Sequence, residues 1–129
     1  MDGEAAKSAF LGGIRVLIVE DEYFLADDLR KALVTEGAIV LGPVATVEPA
    51  IELLNSGQCD FAILDINLRG EQTFEIARES LAKGVPIAFA TGYDQTAIPA
   101  ELGGIRRFEK PLEFGSIVEF VAATAHDTR

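Results

Sequence analysis

The chain has 129 residues, a hydrophobic fraction of 49% and a formal net charge of −10, which together are typical of one folded domain. The excess of acidic side chains argues against nucleic-acid binding, which depends on lysine and arginine to neutralise phosphates. The sequence contains neither an apolar run approaching ~18 residues nor a signal-peptide pattern, so we expect a cytoplasmic protein with no membrane partner.

Residues 1–12 show no sustained hydrophobic periodicity and run into the pair Gly12-Gly13. We therefore predict a mobile leader over 1–12 and a single domain over 13–129. Phe10 and Leu11 in the leader are expected to lie against the surface of the domain.

From Ile14 onwards, short apolar runs alternate with amphipathic segments. The apolar runs predict strands over 14–19, 38–41, 61–64, 85–90 and 105–108, of which the first and the third are expected to be buried. Helical spacing of apolar residues predicts helices over 22–36, 46–54, 72–83 and 112–126. Segment 94–104 contains Pro99, Gly103 and Gly104, so a fourth helix in the alternating series would be short or irregular. This alternation indicates an α/β fold with a parallel sheet and helices on both faces.

Polar side chains follow four of the predicted strands. They are Glu20 and Asp21 after the first strand, Asp65 after the third, Thr91 after the fourth and Lys110 after the fifth. Ligands of parallel sheets bind beyond the carboxyl ends of the strands, so we expect these side chains to meet at one edge. Carboxylates at close range repel one another, and a bound divalent cation relieves that repulsion. Oxygen ligands of this kind suit Mg²⁺.

Four short segments resemble the signatures of a known family. They are IVEDE at 18–22, ILDIN at 63–67, ATG at 90–92 and EKP at 109–111. Their order and spacing resemble two-component response-regulator receiver domains over nearly all of residues 14–126. The string FATGY at 89–93 also resembles a receiver subgroup with a Phe-Ala-Thr-Gly-Tyr-like motif, often found beside histidine kinases of the HWE type. The resemblance implies a flavodoxin-like fold with strand order 2-1-3-4-5.

The resemblance also implies roles for individual residues. Asp65 would take a phosphoryl group from a phosphohistidine, supplied by a histidine kinase or a histidine phosphotransferase, and become an aspartyl phosphate. Thr91 and Lys110 would each contact a phosphoryl oxygen, because phosphoryl transfer depends mainly on positioning and on cations. We further predict a cis peptide bond before Pro111. The implied protein ligands of Mg²⁺ are Glu20, Asp21, Asp65 and the backbone carbonyl of Asn67.

Some positions depart from the common receiver pattern. Arg107 stands where many receivers carry the aromatic residue whose rotation reports phosphorylation, so that switch does not carry over directly. Tyr93 is a candidate substitute, with an exposed loop tyrosine as the alternative, and Tyr93 and Asn67 are candidates for setting the lifetime of the phosphoryl group. Arg69 stands where many receivers carry proline, so we expect loop 68–71 to be more mobile. Arg69 itself would contact an incoming kinase or remain a solvated charge.

The leading hypothesis is a stand-alone receiver in a Mg²⁺-dependent phosphorelay. It would act by binding a downstream protein target or as a phosphate sink, and it would catalyse only its own phosphorylation and dephosphorylation. One alternative is a degenerate receiver scaffold, against which the presence of Asp65, Thr91 and Lys110 argues. Another is a haloacid-dehalogenase-like phosphatase, which would need an acid where Asn67 stands. The sequence leaves open whether the chain belongs to a longer protein.

Overall fold

The computed structural model describes residues 10–92 and 97–128, with side chains as far as residue 125. Its strands are β1 (Arg15–Val19), β2 (Ile39–Val44), β3 (Phe61–Asp65), β4 (Asn67–Leu68), β5 (Glu71–Gln72), β6 (Ile87–Thr91) and β7 (Arg107–Glu109). Its helices are α1 (Tyr23–Thr35), α2 (Val47–Asn55), α3 (Phe74–Ala82) and α4 (Phe114–Thr128). None of these helices combines the length and the apolar character needed to cross a membrane.

Five parallel strands form the main sheet in the order β2-β1-β3-β6-β7. This is the order 2-1-3-4-5 implied by the resemblance, so the predicted flavodoxin-like α/β fold is confirmed. β3 lies in the middle and is buried along its whole length. Because side chains alternate along a strand, Val16 and Ile18 of β1 pack with α1 and α4, whereas Leu17 and Val19 pack with α2 and α3.

The end of β2 differs from the prediction. The expected strand stopped at Leu41, whereas β2 continues through Gly42 and Pro43 to Val44. Its pairing with β1 shifts by one residue at this point, which is the signature of a bulge. Gly42 adopts φ +88°, and an added Cβ would lie 2.7 Å from the backbone nitrogen of Val44. Only glycine therefore fits at position 42 of the bulge. The strand continues through Gly42 and Pro43, although glycine and proline normally end a strand.

Segment 94–104 contains no full helix within its described part. Residues 97–104 form one 3₁₀ turn at Ala100–Leu102, whereas residues 94–96 lie outside the described residues. The prediction of a short or irregular element is confirmed for residues 97–104.

Leu11 belongs to the core of the domain. Its side chain is fully buried in the apolar cluster shared by the sheet, α1 and α4, and its N–H donates to the carbonyl of Glu36 at 2.7 Å. The N–H of Gly13 donates to the carbonyl of Gly37 at 3.1 Å. The expectation that Leu11 lies on the surface is wrong, because these contacts hold the backbone against the end of α1. Residues 1–9 of the predicted leader lie outside the described residues.

Candidate functional site

Three carboxylates meet at the carboxyl edge of the sheet. Glu20 follows β1 directly, Asp21 comes next, and Asp65 is the last residue of β3. One oxygen from each carboxylate lies within 4.8 Å of an oxygen of the other two. Glu20 and Asp65 are buried, with 5% and 6% of their surface exposed. Water therefore screens their mutual repulsion poorly.

A cavity of about 730 Å³ opens beside these carboxylates, and we call it the acidic pocket. Its polar lining includes Asp21, Asp65, Asn67, Thr91 and Lys110. The structure thus brings together the residues that sequence reasoning placed at the strand ends. These residues lie at or just after the ends of β1, β3, β6 and β7. They meet because the carboxyl ends of parallel strands lie at the same edge of the sheet.

Lys110 reaches two of the carboxylates from the end of β7. Its Nζ lies 3.1 Å from Oε1 of Glu20 and 3.1 Å from Oδ2 of Asp65. The backbone N–H of Lys110 donates to the carbonyl of Thr91 at 2.8 Å, which fixes the start of the side chain beside β6. The peptide bond between Lys110 and Pro111 is cis, as predicted.

The charges in the acidic pocket shift two pKa values. Burial and the negative charge of Asp65 raise the pKa of Glu20 to about 7, although hydrogen bonds from Glu22 and Lys110 oppose the shift. Burial lowers the pKa of Lys110, but the hydrogen bond with Asp65 and the charge of Glu20 outweigh it, so the net pKa is raised. Lys110 contacts two of the three carboxylates and Arg69 contacts the third. Three ionised carboxylates still exceed these two cations in charge, so a further cation would bind favourably here.

The carboxylate of Asp65 is held on both oxygens. Lys110 contacts Oδ2, and the backbone N–H of Asn67 donates to Oδ1 at 3.2 Å. Behind the carboxylate, the hydroxyl of Thr73 donates to the backbone carbonyl of Asp65 at 2.7 Å. Thr73 is fully buried and was missed from the sequence, where a threonine before a helix is indistinguishable from an ordinary cap.

Thr91 ends β6, and its neighbours leave the mouth of the acidic pocket open. It pairs with Glu109 of β7 in the sheet register and lines the pocket beside Gly92. A Cβ added at Gly92 would meet no atom within 4 Å. The end of β6 that carries the Thr91 hydroxyl therefore borders open space.

Residues 67–72 form a hairpin instead of the loop expected from the sequence. β4 pairs antiparallel with β5, and the side-chain oxygen of Asn67 accepts a 2.9 Å hydrogen bond from the N–H of Gly70. At the turn, Nε of Arg69 lies 3.3 Å from Oδ2 of Asp21. This contact with the acidic pocket was not anticipated, because nothing in the sequence shows that the hairpin folds back over β1.

Arg107 is exposed on β7, so the usual switch aromatic has no counterpart at this position. The next residue, Phe108, is buried, and the guanidinium of Arg106 lies 4.4 Å from the centre of its ring. Arg107 lines a second cavity that also borders Thr91. Tyr93 lies outside the described residues. The switch roles of Arg107 and Tyr93 stay predictions.

The family model of the response regulator receiver domain matches residues 16–122 of this chain. This chain belongs to the response-regulator receiver family. Receivers of this family are signalling modules of two-component systems and not classical enzymes; Mg²⁺ binding at an acidic pocket and phosphorylation are typical of them.

Two curated relatives match this chain over about half of their own length. The sensory transduction protein LytT of Bacillus cereus is 34% identical over 110 residues, which are 82% of this chain and 45% of LytT. The transcriptional regulatory protein PdtaR of Mycobacterium tuberculosis is 27% identical over 108 residues, covering 81% of this chain and 53% of PdtaR. The receiver thus spans about half the length of these relatives.

Solved structures show the same fold. The BeF3-activated conformation of SdrG from Pseudomonas melonis Fr1 is 31% identical, with a TM-score of 0.71, over 86% of this chain and 95% of that one. A response regulator receiver protein from Sinorhizobium medicae WSM419 is 23% identical, with a TM-score of 0.77, over 92% of this chain and 99% of that one. The second similarity concerns the fold alone.

Proposed function

We propose that this receiver accepts a phosphoryl group on Asp65 in a Mg²⁺-dependent phosphorelay. The observation that carries the proposal is the buried Asp65 carboxylate, held at Oδ2 by Lys110 and grouped with two further carboxylates. A purely structural aspartate would not require an ammonium and two acids at the same strand ends. The family membership of residues 16–122 supports the same reading.

The donor set fits Mg²⁺. The three carboxylates offer hard oxygen ligands within 4.8 Å of one another and carry excess negative charge, which are the conditions that Mg²⁺ requires. Glu20, Asp21 and Asp65 would hold the ion together with the backbone carbonyl of Asn67. When bound, it would neutralise charge on the phosphoryl oxygens.

The reaction itself needs little from the protein beyond positioning. An oxygen of Asp65 attacks the phosphorus, a new O–P bond forms, and the P–N bond to the donor histidine breaks with its electron pair left on the imidazole. Lys110 lies next to Oδ2 and would pair with one transferred oxygen, while the Thr91 hydroxyl would donate to another. Gly92 leaves the approach free of side-chain atoms.

Two exposed aromatic side chains beside the acidic pocket suit the docking of a donor protein. Tyr23 and Phe24 begin α1 and are 73% and 80% exposed. Their rings contact edge to face, 5.3 Å apart. Aromatic side chains of this kind are enriched at the centres of protein interfaces. We propose that a histidine kinase or phosphotransferase packs against this pair while its phosphohistidine enters the pocket.

The FATGY string at 89–93 supports assignment to the receiver subgroup with that motif, and with it a histidine kinase of the HWE type as donor. The output would be contact with a downstream protein or drainage of phosphate from a shared kinase. A phosphatase reading lacks a general acid, since Asn67 stands at the second position after Asp65 and its Oδ1 accepts a bond from Gly70.

Intact-protein mass spectrometry tests the proposal. The chain is incubated with phosphoramidate and Mg²⁺, alongside Asp65→Asn and the matched variant Asp28→Asn, whose carboxylate is exposed on α1. We expect one added phosphoryl group on the unmodified chain and on Asp28→Asn, and none on Asp65→Asn. Addition to Asp65→Asn, or catalytic turnover of an external phosphate ester, would refute the proposal.

A further inference from the structure

The hairpin of β4 and β5 places an arginine in an unusual backbone conformation. Asn67 pairs with Gln72 and Leu68 with Glu71, so Arg69 and Gly70 form a two-residue turn. Their φ angles are 51° and 92°, the positive pair that a type I′ turn requires. Glycine suits such a turn and asparagine is the usual partner before it, whereas a long side chain in this region is uncommon. The residue preferences of a type I′ turn therefore do not explain why position 69 is an arginine.

The side chain of Arg69 places a positive charge at the edge of the acidic pocket, next to Asp21. Its Nε lies 3.3 Å from Oδ2 of Asp21, whose side chain is 12% exposed, while the Arg69 side chain is 82% exposed. Lys110 contacts the other two carboxylates, Glu20 and Asp65. A cation on a second element thus contacts the third carboxylate, from the solvent side.

The hairpin is also bonded to the phosphoacceptor. The N–H of Asn67 donates to Oδ1 of Asp65, and the side chain of Asn67 accepts from the N–H of Gly70. The turn that carries Arg69 is therefore two hydrogen bonds away from Asp65. If a change in the charge near Asp21 moves Arg69, it moves the β4–β5 hairpin, which is hydrogen-bonded to the carboxylate of Asp65.

We propose that Arg69 is a resident counter-ion of Asp21 that Mg²⁺ must displace, so that it weakens Mg²⁺ binding and couples the hairpin to metal occupancy. This inference rests on the metal site of the proposed function. A carboxylate oxygen that binds Mg²⁺ gains less from a guanidinium 3.3 Å away, because the two cations repel each other. An exposed guanidinium leaves such a pair at small cost, so the competition is modest and reversible.

Isothermal titration calorimetry with Mg²⁺, in the absence of any phosphodonor, tests the inference. Arg69→Gln removes the charge and keeps a long side chain in the turn. Arg78→Gln is the matched control, because it removes the same charge from an exposed arginine that pairs with Glu101. Arg69→Lys keeps a positive charge at the turn.

We expect Arg69→Gln to bind Mg²⁺ about threefold more tightly than the unmodified chain, the scale of an exposed ion pair. Arg78→Gln and Arg69→Lys should stay close to the unmodified affinity. Equal effects of Arg69→Gln and Arg78→Gln, or equal tightening by Arg69→Gln and Arg69→Lys, would overturn the inference and leave the metal site intact. No Mg²⁺ binding in any variant would overturn the metal site and the inference together.

A second measurement avoids substitutions altogether. In the unmodified chain, the NMR signal of the Arg69 Nε–H group should move towards that of a free arginine side chain as Mg²⁺ fills the site. The Arg78 signal provides the internal reference and should not move. An Arg69 signal that stays in place at saturating Mg²⁺ would contradict displacement, even if the variants failed to fold.

Discussion

Lys110 Nζ lies 3.1 Å from Asp65 Oδ2, a contact that joins the end of β7 to the end of β3. The same ammonium lies 3.1 Å from Oε1 of Glu20, so one cation offsets the repulsion between two buried carboxylates. Removal of one partner from a buried charge cluster leaves the others without compensation. Lys110 therefore serves the stability of the metal-free domain as well as the proposed chemistry.

Replacement of Lys110 by methionine should lower the free energy of unfolding of the metal-free protein by about 2 kcal/mol. Saturating Mg²⁺ should recover part of that loss, because the ion offsets the same carboxylates. Urea unfolding with EDTA and with Mg²⁺ measures both values. Lys83→Met, at an exposed lysine directly after α3, is the control, and an equal loss in the two variants would count against the role of Lys110.

The raised pKa of Glu20 makes the metal-free protein sensitive to pH. The pKa rises from 4.5 to about 7 on folding, so Glu20 contributes stability that is fully present below pH 4.5 and is lost as pH rises through 7. We expect a loss on the order of 2 kcal/mol across this window in EDTA. Unfolding measured from pH 5 to 8 should show it, and Glu20→Gln should flatten the profile. A profile unchanged by that substitution would disprove the assignment.

The aromatic pair Tyr23 and Phe24 on α1 should affect the rate of phosphotransfer from a protein donor and not the rate of phosphorylation by a small-molecule donor. Tyr23→Ser and Phe24→Ser should each slow phosphotransfer from the histidine kinase about tenfold, the loss expected when an anchor of an interface is truncated. Phosphorylation by phosphoramidate should be unaffected. Leu81→Ser, at an exposed leucine of α3, is the control. Equal slowing with both donors would place the defect in the acidic pocket.

The hydrogen bond behind Asp65 can be removed with almost no change of shape. Thr73→Val deletes the hydroxyl that donates to the Asp65 carbonyl, and the loss should destabilise the domain by about 1 to 2 kcal/mol. Thr73→Ser keeps the donor and should cost less of that stability. Thermal unfolding of the two variants gives the comparison. If valine is as stable as threonine, the hydrogen bond contributes nothing measurable.

Much of the site was predictable because it depends on strand ends. A parallel sheet brings its carboxyl ends to one edge, so Asp65 and Lys110 could be placed together from the alternation of strands and helices alone. Helix bounds followed from apolar spacing in the same way. These features depend on local pattern plus one topological rule.

The features that escaped prediction depend on contacts between distant segments. The burial of Leu11 depends on the gap between α1 and α4, and β2 continues past Gly42 because a bulge fits there. The contact of Arg69 with Asp21 depends on how a hairpin folds back. Secondary-structure propensity describes each segment in isolation. At these three places, tertiary packing overrides that propensity.

The strand order divides the acidic pocket between two sides of the central strand. Glu20 and Asp21 follow β1 on one side of β3, whereas Thr91 and Lys110 belong to the ends of β6 and β7 on the other. The division lets the two sides be varied separately in protein engineering, except at Lys110, whose ammonium contacts both Glu20 and Asp65. The proposed metal ligands on the β1 side could therefore be redesigned without changing Thr91 on β6, provided that Asp65 and Lys110 are left untouched.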